Sequence, residues 1–244
     1  MTKGYDVSYS IDFKRNMYKG LYVAFEGIDG AGKTVQLEKV SDYLREQKMP
    51  FTVISEPRRT GPVGRLINEV LQKRAHLPPT AIQYLFSADR ITHQHDIILP
   101  ALARGEAVLS HRCFWSSVPY GLMDWMETNS STDLGENLLV AQSILSMYYQ
   151  HTVPDVTFYL DVPAETAMKR IKQMGTMPEY YEKKEKLERV RNGYLWMMEK
   201  FPDELVMINA DQEVDVVTED ILNVVQKVIT KKKTQAAKAL SLKN

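Results

Sequence analysis

Five short apolar runs alternate along this chain with longer segments in which apolar residues recur every three or four positions. A short continuous apolar run is typical of a strand buried on both faces, whereas the longer period indicates an amphipathic helix. Strands that alternate with helices predict an α/β fold, in which a parallel sheet carries helices on both faces. The five buried strands are predicted at residues 21–25, 51–55, 107–110, 156–160 and 205–209.

The helical segments between these runs end at residues that commonly stop a helix. Leu99–Pro100 interrupts a long apolar face that opens at Pro78, and we expect a kink or an end there because proline cannot donate the helical hydrogen bond. The polar stretch 129–137 predicts a surface loop, and the basic residues 231–244 predict a frayed tail. Helices are predicted after residue 34 and over about 64–74, 78–100, 138–149, 161–171, 183–200 and 214–229.

The loop after the first strand reads GIDGAGKT, which fits the phosphate-binding pattern G-x-x-x-x-G-K-[ST]. Its glycines let the backbone curl around an anion with the N–H groups inward, at a helix start whose dipole also favours negative charge. We expect Lys33 to reach the β and γ phosphates of a nucleotide, and the Thr34 hydroxyl to bind Mg²⁺. The predicted phosphate-binding residues are Gly27, Gly30, Ala31, Gly32, Lys33, Thr34 and Val35.

Composition limits the partners and the cellular environment that we expect for such a nucleotide-binding protein. Lys and Arg total 31 and Asp and Glu total 31, so net charge gives no argument for a nucleic-acid partner. The single cysteine excludes an intramolecular disulfide, and we expect a reducing, cytoplasmic setting. No apolar run approaches the roughly 20 residues of a membrane span, so no membrane partner is expected. We predict one catalytic domain over 21–230, an extension at 1–20 and a tail at 231–244.

Arginines are placed where a second anion would bind. Arg58 and Arg59 follow the second predicted strand, Arg112 follows the third, and Arg90 lies on the helix between them. Ligands of a parallel sheet gather at the carboxyl ends of its strands, and the guanidinium fork binds phosphate oxygens in pairs. A phosphoryl acceptor that is already a monophosphate needs such cations more than it needs a base. The pattern therefore predicts phosphoryl transfer between two phosphorylated compounds.

Six segments resemble those of thymidylate kinases in order and in spacing. The resemblance covers about residues 20–230 and implies a three-layer P-loop kinase fold with a five-stranded parallel sheet and a small lid. It also implies transfer of a phosphoryl group from Mg·ATP to dTMP, giving dTDP, by a protein that forms a homodimer. The segments are FEGIDGAGKT (25–34), EPRRT (56–60), YLFSADRITH (84–93), SHRCFWSSVPYG (110–121), YLDVPAETAMKRI (159–171) and RVRNGYL (189–195).

The resemblance implies roles for the residues that match the family's motifs. Arg90 and Arg112 match the arginines that bind the acceptor phosphate, and Phe86 matches the aromatic residue that stacks on the acceptor base. Asp29 matches the acidic residue that binds the sugar 3′-hydroxyl, which would explain a carboxylate inside the phosphate-binding loop. Asn209, after the fifth strand, is expected beside the donor adenine. The catalytic residues implied are Lys33, Arg112 and Asp29, and the other acceptor-binding residues are Arg59, Ser116, Ser117 and Tyr120.

Two departures from the family pattern affect the expected chemistry. Family members usually carry Asp-Arg-Tyr or Asp-Arg-His after the third strand, but this chain has His111, Arg112 and Cys113. A neutral histidine brings no negative charge for Mg²⁺, so metal binding would rest on Thr34, nucleotide phosphates and water, with Glu26 or Asp161 as further candidates. We expect Cys113 to be unreactive, since no resolving partner is evident.

The second departure lies in the lid. A pattern like Asp-Arg-Phe-Glu usually supplies a catalytic arginine there, but this chain reads Glu179, Tyr180, Tyr181 and Glu182. Loss of such an arginine lowers phosphoryl-transfer rates by orders of magnitude. Arg58 or Arg59 would compensate if either reaches the phosphates, and the other candidate cations are Arg170, Lys172, Lys183 and Lys184.

Three other functions remain open at the level of the sequence, and the first is a kinase of a different deoxynucleoside monophosphate. A deoxynucleoside kinase would act on a neutral 5′-hydroxyl and would need a general base, for which Glu26 is placed, but it would leave the arginines with no phosphate to bind. A nucleotide-binding protein without catalysis would fit His111 and Tyr180, whereas the intact Lys33 and Thr34 argue against it.

Overall fold

A computed structural model describes residues 10–129, 134–173 and 183–241. The strands are β1 (Tyr22–Glu26), β2 (Phe51–Ser55), β3 (Ala107–His111), β4 (Val156–Asp161) and β5 (Val206–Asn209). The helices are α1 (Lys33–Glu46), α2 (Gly61–Leu71), α3 (Pro79–His93), α4 (Leu99–Arg104), α5 (Ser117–Asn129), α6 (Leu134–Ser146), α7 (Ala164–Gln173), α8 (Lys184–Lys200) and α9 (Val214–Ser241). None of the helices in these ranges is long and apolar enough to cross a membrane.

The strands form one sheet in the order β2-β3-β1-β4-β5, and every neighbouring pair is parallel. This confirms the prediction of a five-stranded parallel sheet. The prediction that all five strands are buried is wrong for β2 and β5, which lie at the two edges of the sheet and bury only Ile54 and Ile208. The central strand β1 is buried throughout.

The register brings the carboxyl ends of the strands to one edge of the sheet. His111 pairs with Phe25 of β1 on one side and with Ser55 of β2 on the other, and Asp161 pairs with Asn209. Glu26, the last residue of β1, pairs with Tyr159. The loops that the sequence marks as unusual therefore leave the sheet at the same edge.

Helices cover both faces of the sheet. Tyr22 packs against Ile98 and Leu102, beside α4, and Glu26 accepts a hydrogen bond from Tyr194 of α8. Because side chains alternate along a strand, Tyr22 and Glu26 point to the same face. Helices α1 and α9 contact each other and pack on the opposite face, which gives the three layers that were predicted.

The helices differ from the prediction in places where the chain adapts to proline. Residues Gln94–Ile98 form a π-helical turn between α3 and α4, directly before Pro100, which lacks the N–H that a regular turn would use. Helix α2 begins at Gly61 rather than Gly64, with Pro62 in its first turn, where proline is favoured. Helix α6 begins at Leu134, inside the stretch predicted to be a loop, and residues 130–133 lie outside the described residues.

The described parts of the two terminal segments contact each other and the sheet. The frayed tail predicted from residue 231 is wrong as far as Ser241, because α9 continues to that residue. Lys232 Nζ lies 3.0 Å from Asp155 and donates a hydrogen bond to the carbonyl of Gly20 at 2.6 Å. Asp155 also accepts hydrogen bonds from Asn16 and from the backbone N–H of Tyr22, both at 2.7 Å. The segment before β1 is therefore tied to α9 through one carboxylate.

Candidate active site

The loop between β1 and α1, residues 27–32, has a backbone that only glycine adopts readily. Gly27, Gly30 and Gly32 have φ values of 137°, 80° and 93°. A Cβ atom on Gly30 would also lie 2.5 Å from the carbonyl oxygen of Ala167, so α7 approaches too closely for a side chain. The curled loop lies at the start of α1, where backbone N–H groups and the helix dipole favour an anion.

Lys33 is buried under this loop. Its ammonium group donates hydrogen bonds to the carbonyls of Gly27 at 3.0 Å and Ile28 at 2.8 Å, and it lies 3.5 Å from Asp29 Oδ1. Burial, reinforced by the positive charge of Arg112, lowers the pKa of Lys33 to about 8. A polyphosphate in the loop would add negative charge beside this ammonium and favour its protonated form.

Asp29 and Arg112 form a direct ion pair across the mouth of the loop. Arg112 Nη2 donates to Asp29 Oδ1 at 2.6 Å and to the Tyr120 hydroxyl at 2.9 Å, and its guanidinium lies 5.0 Å from the centre of the Tyr120 ring. Burial acts to raise the pKa of Asp29, but Arg112 and Lys33 more than offset it, and the net result is well below the ordinary value. Asp29 is therefore held as a carboxylate between two cations.

A cleft opens between the carboxyl ends of β1, β2 and β3 and helix α3. We call it the arginine cleft. Its lining residues are Asp29, Ser55, Glu56, Pro57, Arg58, Arg59, Ile67, Asn68, Leu71, Phe86, Arg90, His111, Arg112, Ser116, Ser117 and Tyr120.

Arg90 is fixed in the wall of the arginine cleft by buried partners. Its guanidinium donates to Glu56 Oε2 at 3.0 Å, to the Ser117 hydroxyl at 2.6 Å and to Tyr148 at 3.2 Å. Phe86, one turn earlier on α3, lies under the same guanidinium at 5.5 Å from the ring centre. Both side chains line the cleft as the sequence predicts, and their contact with an acceptor stays a prediction.

Glu26 organises the opposite wall. It is completely buried and accepts hydrogen bonds from the backbone N–H of Cys113 at 2.7 Å, the Ser116 hydroxyl at 2.5 Å and the Tyr194 hydroxyl at 2.6 Å. Arg112 Nη1 lies 3.8 Å from the same carboxylate. Ser116 therefore donates its hydroxyl hydrogen to Glu26, and the Glu26 carboxylate in turn supports Arg112.

The two arginines after β2 have different environments. Arg58 donates its backbone N–H and its Nε to the buried Asp89, at 2.8 and 3.0 Å. Arg59 lines the arginine cleft and also a second cleft, which borders the phosphate-binding loop. The two arginines therefore differ in position: Arg58 is bound to Asp89 of α3, and Arg59 lies where the two clefts meet. We call the second one the P-loop cleft, and it is lined by Gly30, Gly32, Lys33, Thr34 and Val35, among others.

Comparison with known proteins identifies the family of this architecture. A family model described as thymidylate kinase matches residues 25–221. The chain belongs to the thymidylate kinase family. It is 32% identical over 214 residues to the thymidylate kinase of Chlorobium chlorochromatii, covering 83% of this chain and 92% of that protein. It is 33% identical to a probable thymidylate kinase of Pyrococcus abyssi, covering 85% and 97%, and 33% identical to the thymidylate kinase of Thermoanaerobacter sp. strain X514, covering 86% and 100%.

Within this thymidylate kinase fold, Arg170 of α7 links the two parts of the predicted donor site. It donates to the carbonyl of Ala210 at 3.0 Å and approaches that of Gly30 at 3.5 Å. Asn209 is exposed at the end of β5 and accepts the backbone N–H of Asp211 through its side chain at 3.0 Å. Arg170 therefore reaches the phosphate-binding loop without any help from the lid. Arg170 was predicted as a lid residue together with Tyr180 and Tyr181, and these two tyrosines lie outside the described residues.

Fewer residues are available to bind Mg²⁺ in the structure than the sequence suggested. Glu26 is occupied by the hydrogen bonds described above, and Asp161 accepts both Nε and Nη2 of Arg191 at 2.8 Å. In the described part of the chain no three His, Cys, Asp or Glu side chains cluster to hold a metal ion. Thr34 is exposed in the P-loop cleft. A single hydroxyl fits Mg²⁺ that is carried by phosphates and water, the usual arrangement for this ion.

Several residues of the site escaped the sequence reasoning because their partners are distant in the chain. Glu56 and Tyr148 hold Arg90, Asp89 holds Arg58, and Tyr194 joins Glu26 to Arg112. The one available signal was a polar residue inside an otherwise apolar helical stripe, as for Tyr194 after Leu187 and Val190. His93 is buried 3.5 Å from Glu56, and His95 is 86% exposed. Cys113 is buried, and burial raises the pKa of its thiol, which agrees with the prediction that this cysteine is unreactive.

Proposed function

We propose that this protein transfers the γ-phosphoryl group of Mg·ATP to dTMP, giving dTDP and ADP. One observation supports the reaction above all: two clefts, one built on a phosphate-binding loop and the other on buried arginines, meet at shared residues. A donor and an acceptor that are both anions can then lie end to end. Membership of the thymidylate kinase family, whose members are ATP-dependent phosphotransferases, supports the identity of the acceptor.

The residues of this chain would promote the reaction by positioning the two substrates and by neutralising the charge of their phosphates. The loop amides and Lys33 would hold the donor phosphates, while Arg90 and Arg112 would hold the acceptor phosphate. Both arginines are fixed before any ligand arrives by buried carboxylates and hydroxyls, so little reorganisation is needed. The acceptor oxygen already carries negative charge, so no residue has to remove a proton from it.

When dTMP binds, Asp29 would exchange its contact with Arg112 for a contact with the sugar. Its carboxylate pairs with Arg112, and the resemblance assigns it to the sugar 3′-hydroxyl. Phe86 would stack on the base, with Ser117 and Tyr120 beside it in the same cleft. Mg²⁺ bound with the nucleotide, on the Thr34 hydroxyl, would supply positive charge to the phosphate oxygens.

The arrangement is less suited to a deoxynucleoside kinase. Such an enzyme needs a general base near a 5′-hydroxyl, and the candidate Glu26 is completely buried with its oxygens engaged by Cys113, Ser116 and Tyr194. The buried Arg90 and Arg112 would also face a neutral substrate. A phosphorylated acceptor fits both observations better.

The test is to offer the purified protein ATP and Mg²⁺ with dTMP, or with thymidine in a parallel reaction, and to follow the products by chromatography. We expect dTDP from dTMP and no dTMP from thymidine. Lys33→Met should abolish product, since one P-loop cation is removed, whereas Lys39→Met on the exposed side of α1 should not. Formation of dTMP from thymidine, or no product even at high protein concentration, would contradict the proposal.

We also propose, from the resemblance, that the protein is a homodimer. The apolar stripe of α3 is not available as a dimer interface, because Ile82 and Phe86 pack against Ile67 and Val70 of α2. The other face of α3 exposes Tyr84 and Ile91, at 63% and 50%. Light scattering should give twice the chain mass, and Ile91→Glu should halve it; a wild-type monomer would contradict this.

A further inference from the structure

Four residues line both the arginine cleft and the P-loop cleft: Asp29, Ser55, Arg59 and His111. If the proposed kinase reaction is right, the phosphoryl group passes between the clefts at this junction. Asp29 carries a negative charge, which repels phosphate. The polar groups that can approach a phosphoryl group favourably there are therefore Arg59, Ser55 and His111.

His111 is rigidly placed at this junction. It is the last residue of β3 and pairs with Phe25 on one side and Ser55 on the other. Its carbonyl accepts the backbone N–H of Glu56 at 2.9 Å, and its own ring Nδ1 is buried with no hydrogen-bond partner among the described residues. A proton on Nδ1 would leave a buried donor without a partner, which is costly. The ring proton is therefore assigned to Nε2, the nitrogen furthest from the backbone.

The surroundings keep this imidazole neutral. Burial, followed by the positive charges of Lys33 and Arg112, lowers the pKa of His111 to about 3. A carboxylate at this position would add a second negative charge beside Asp29 and the phosphates. A neutral imidazole instead offers an N–H donor and no repulsion.

We propose that His111 Nε2–H donates a hydrogen bond to the phosphoryl group in transit. An acceptor phosphate oxygen forms the new bond to the γ phosphorus while the bond from that phosphorus to the bridging oxygen breaks, and ADP leaves with the electron pair. His111 keeps its proton throughout and stabilises charge on an equatorial oxygen. It thereby supplies, at the position where the family carries an acid, part of the stabilisation that the lid tyrosines cannot give.

The test compares three substitutions at one position. A glutamine amide places its N–H₂ near the position of Nε2, an asparagine amide is too short to reach it, and leucine removes the donor. We expect His111→Gln to retain more than about a tenth of kcat, and His111→Asn and His111→Leu to lose about 100-fold, the usual cost of one such donor. Calorimetric Kd values for ATP and dTMP should stay within about threefold, because the contact forms mainly in transit. His95→Leu, at an exposed histidine, is the control and should leave kcat unchanged.

A spectroscopic measurement decides the proposal independently of turnover. Histidine-selective ¹⁵N NMR of the complex with Mg·ADP, aluminium fluoride and dTMP should show one protected ring N–H that is absent with dTMP alone and absent from His111→Gln. The protein has five histidines, so the variant spectrum assigns the signal. The proposal is overturned if His111→Leu keeps full kcat, if asparagine substitutes as well as glutamine, or if no protected N–H appears. A wild-type protein that makes no dTDP would count against the proposed function, and the spectrum would still decide the role of His111.

Discussion

At the scale of single residues, Glu56 makes more stabilising contacts than its position in the loop after β2 suggests. It is buried, it accepts Arg90 Nε at 3.0 Å, and His93 Nδ1 lies 3.5 Å from its other oxygen. Burial acts to raise the pKa of Glu56, but the contact with His93 and the charge of Arg90 offset this, and its pKa lies below the ordinary value. A carboxylate with a lowered pKa stabilises the folded state above its unfolded-state pKa, and this stabilisation is lost as the pH falls through the folded-state pKa.

Glu56→Gln should therefore lower the free energy of unfolding at pH 7 by about 3–5 kcal/mol, because it leaves Arg90 buried without its counter-charge. The difference from the wild type should shrink as the pH falls into the acid range. Urea unfolding at a series of pH values measures both effects. Glu69→Gln, which breaks an exposed pair with Arg74, is the matched control and should have no measurable effect. A difference that stays constant down to the acid limit would show that the charge of Glu56 is not what stabilises the fold.

The sequence predicted the residues with local signals and missed those whose meaning depends on a distant partner. Lys33 and the glycines of the loop are specified by an eight-residue pattern between a strand and a helix, and the structure forms the expected curl. Glu56 pairs with a residue 34 positions away, and Glu26 with one 168 positions away. No periodicity encodes such pairs, because they depend on how the sheet brings its loops together.

At the scale of elements, α8 is attached to the sheet at two points one turn apart. Arg191 binds both oxygens of Asp161 at the end of β4, and the Tyr194 hydroxyl binds Glu26 at the end of β1. The Tyr194 ring also stacks on Tyr159, with centres 4.7 Å apart. Between these residues, a Cβ on Gly193 would lie 2.9 Å from Pro119 Cα, so α8 packs closely on α5. The helix that follows the predicted lid segment thus reaches the carboxylate that supports Arg112.

Tyr194→Phe should raise the KM for dTMP about tenfold and leave the KM for ATP unchanged. The substitution keeps the stacked ring but removes the hydroxyl that joins Glu26 to Arg112, and so loosens Arg112. A hydrogen bond to a charged group is worth about 1.5–3 kcal/mol. Steady-state kinetics with each substrate varied in turn measures the difference. Tyr84→Phe, at an exposed tyrosine of α3, should change neither KM. Equal changes in both KM values would mean that Tyr194 supports the fold in general and not the arginine cleft.

The elements themselves were largely predictable because each depends on its own apolar pattern. The strands lie within a residue or two of the predicted ranges, and α1 begins at Lys33, two residues before the predicted start. The errors fall where the surroundings decide the outcome. Phe51–Ser55 reads as a buried strand, but it forms the edge of the sheet and leaves Val53 half exposed, since strand order is not written in local hydrophobicity. Ile82 and Phe86 form a stripe that fits a core or an interface equally well, and packing against α2 makes it core.

At the scale of the whole molecule, Asp155 joins the segment before β1 to the C-terminal part of α9. The segment before β1 contributes Asn16, the residue just before β4 contributes the carboxylate, and α9 contributes Lys232. The side chains of Lys232 and Asp155 are only 15% and 12% exposed, so this pair is better shielded from water than a surface ion pair. Lys231 and Lys233, its neighbours in the same basic run, are exposed.

Lys232→Met should lower the free energy of unfolding by about 1–3 kcal/mol, because Asp155 loses its counter-charge and the carbonyl of Gly20 loses a donor. Lys231→Met removes the same charge one position earlier and should change stability by less than about 0.5 kcal/mol, as is usual for exposed positions. Deleting residues 231–244 should cost about as much as Lys232→Met alone if this contact is the main contribution of the segment. Urea unfolding of the three variants measures each loss. If Lys231→Met and Lys232→Met had equal effects, the basic run would act only through its net charge, and the link between the two ends would not contribute to stability.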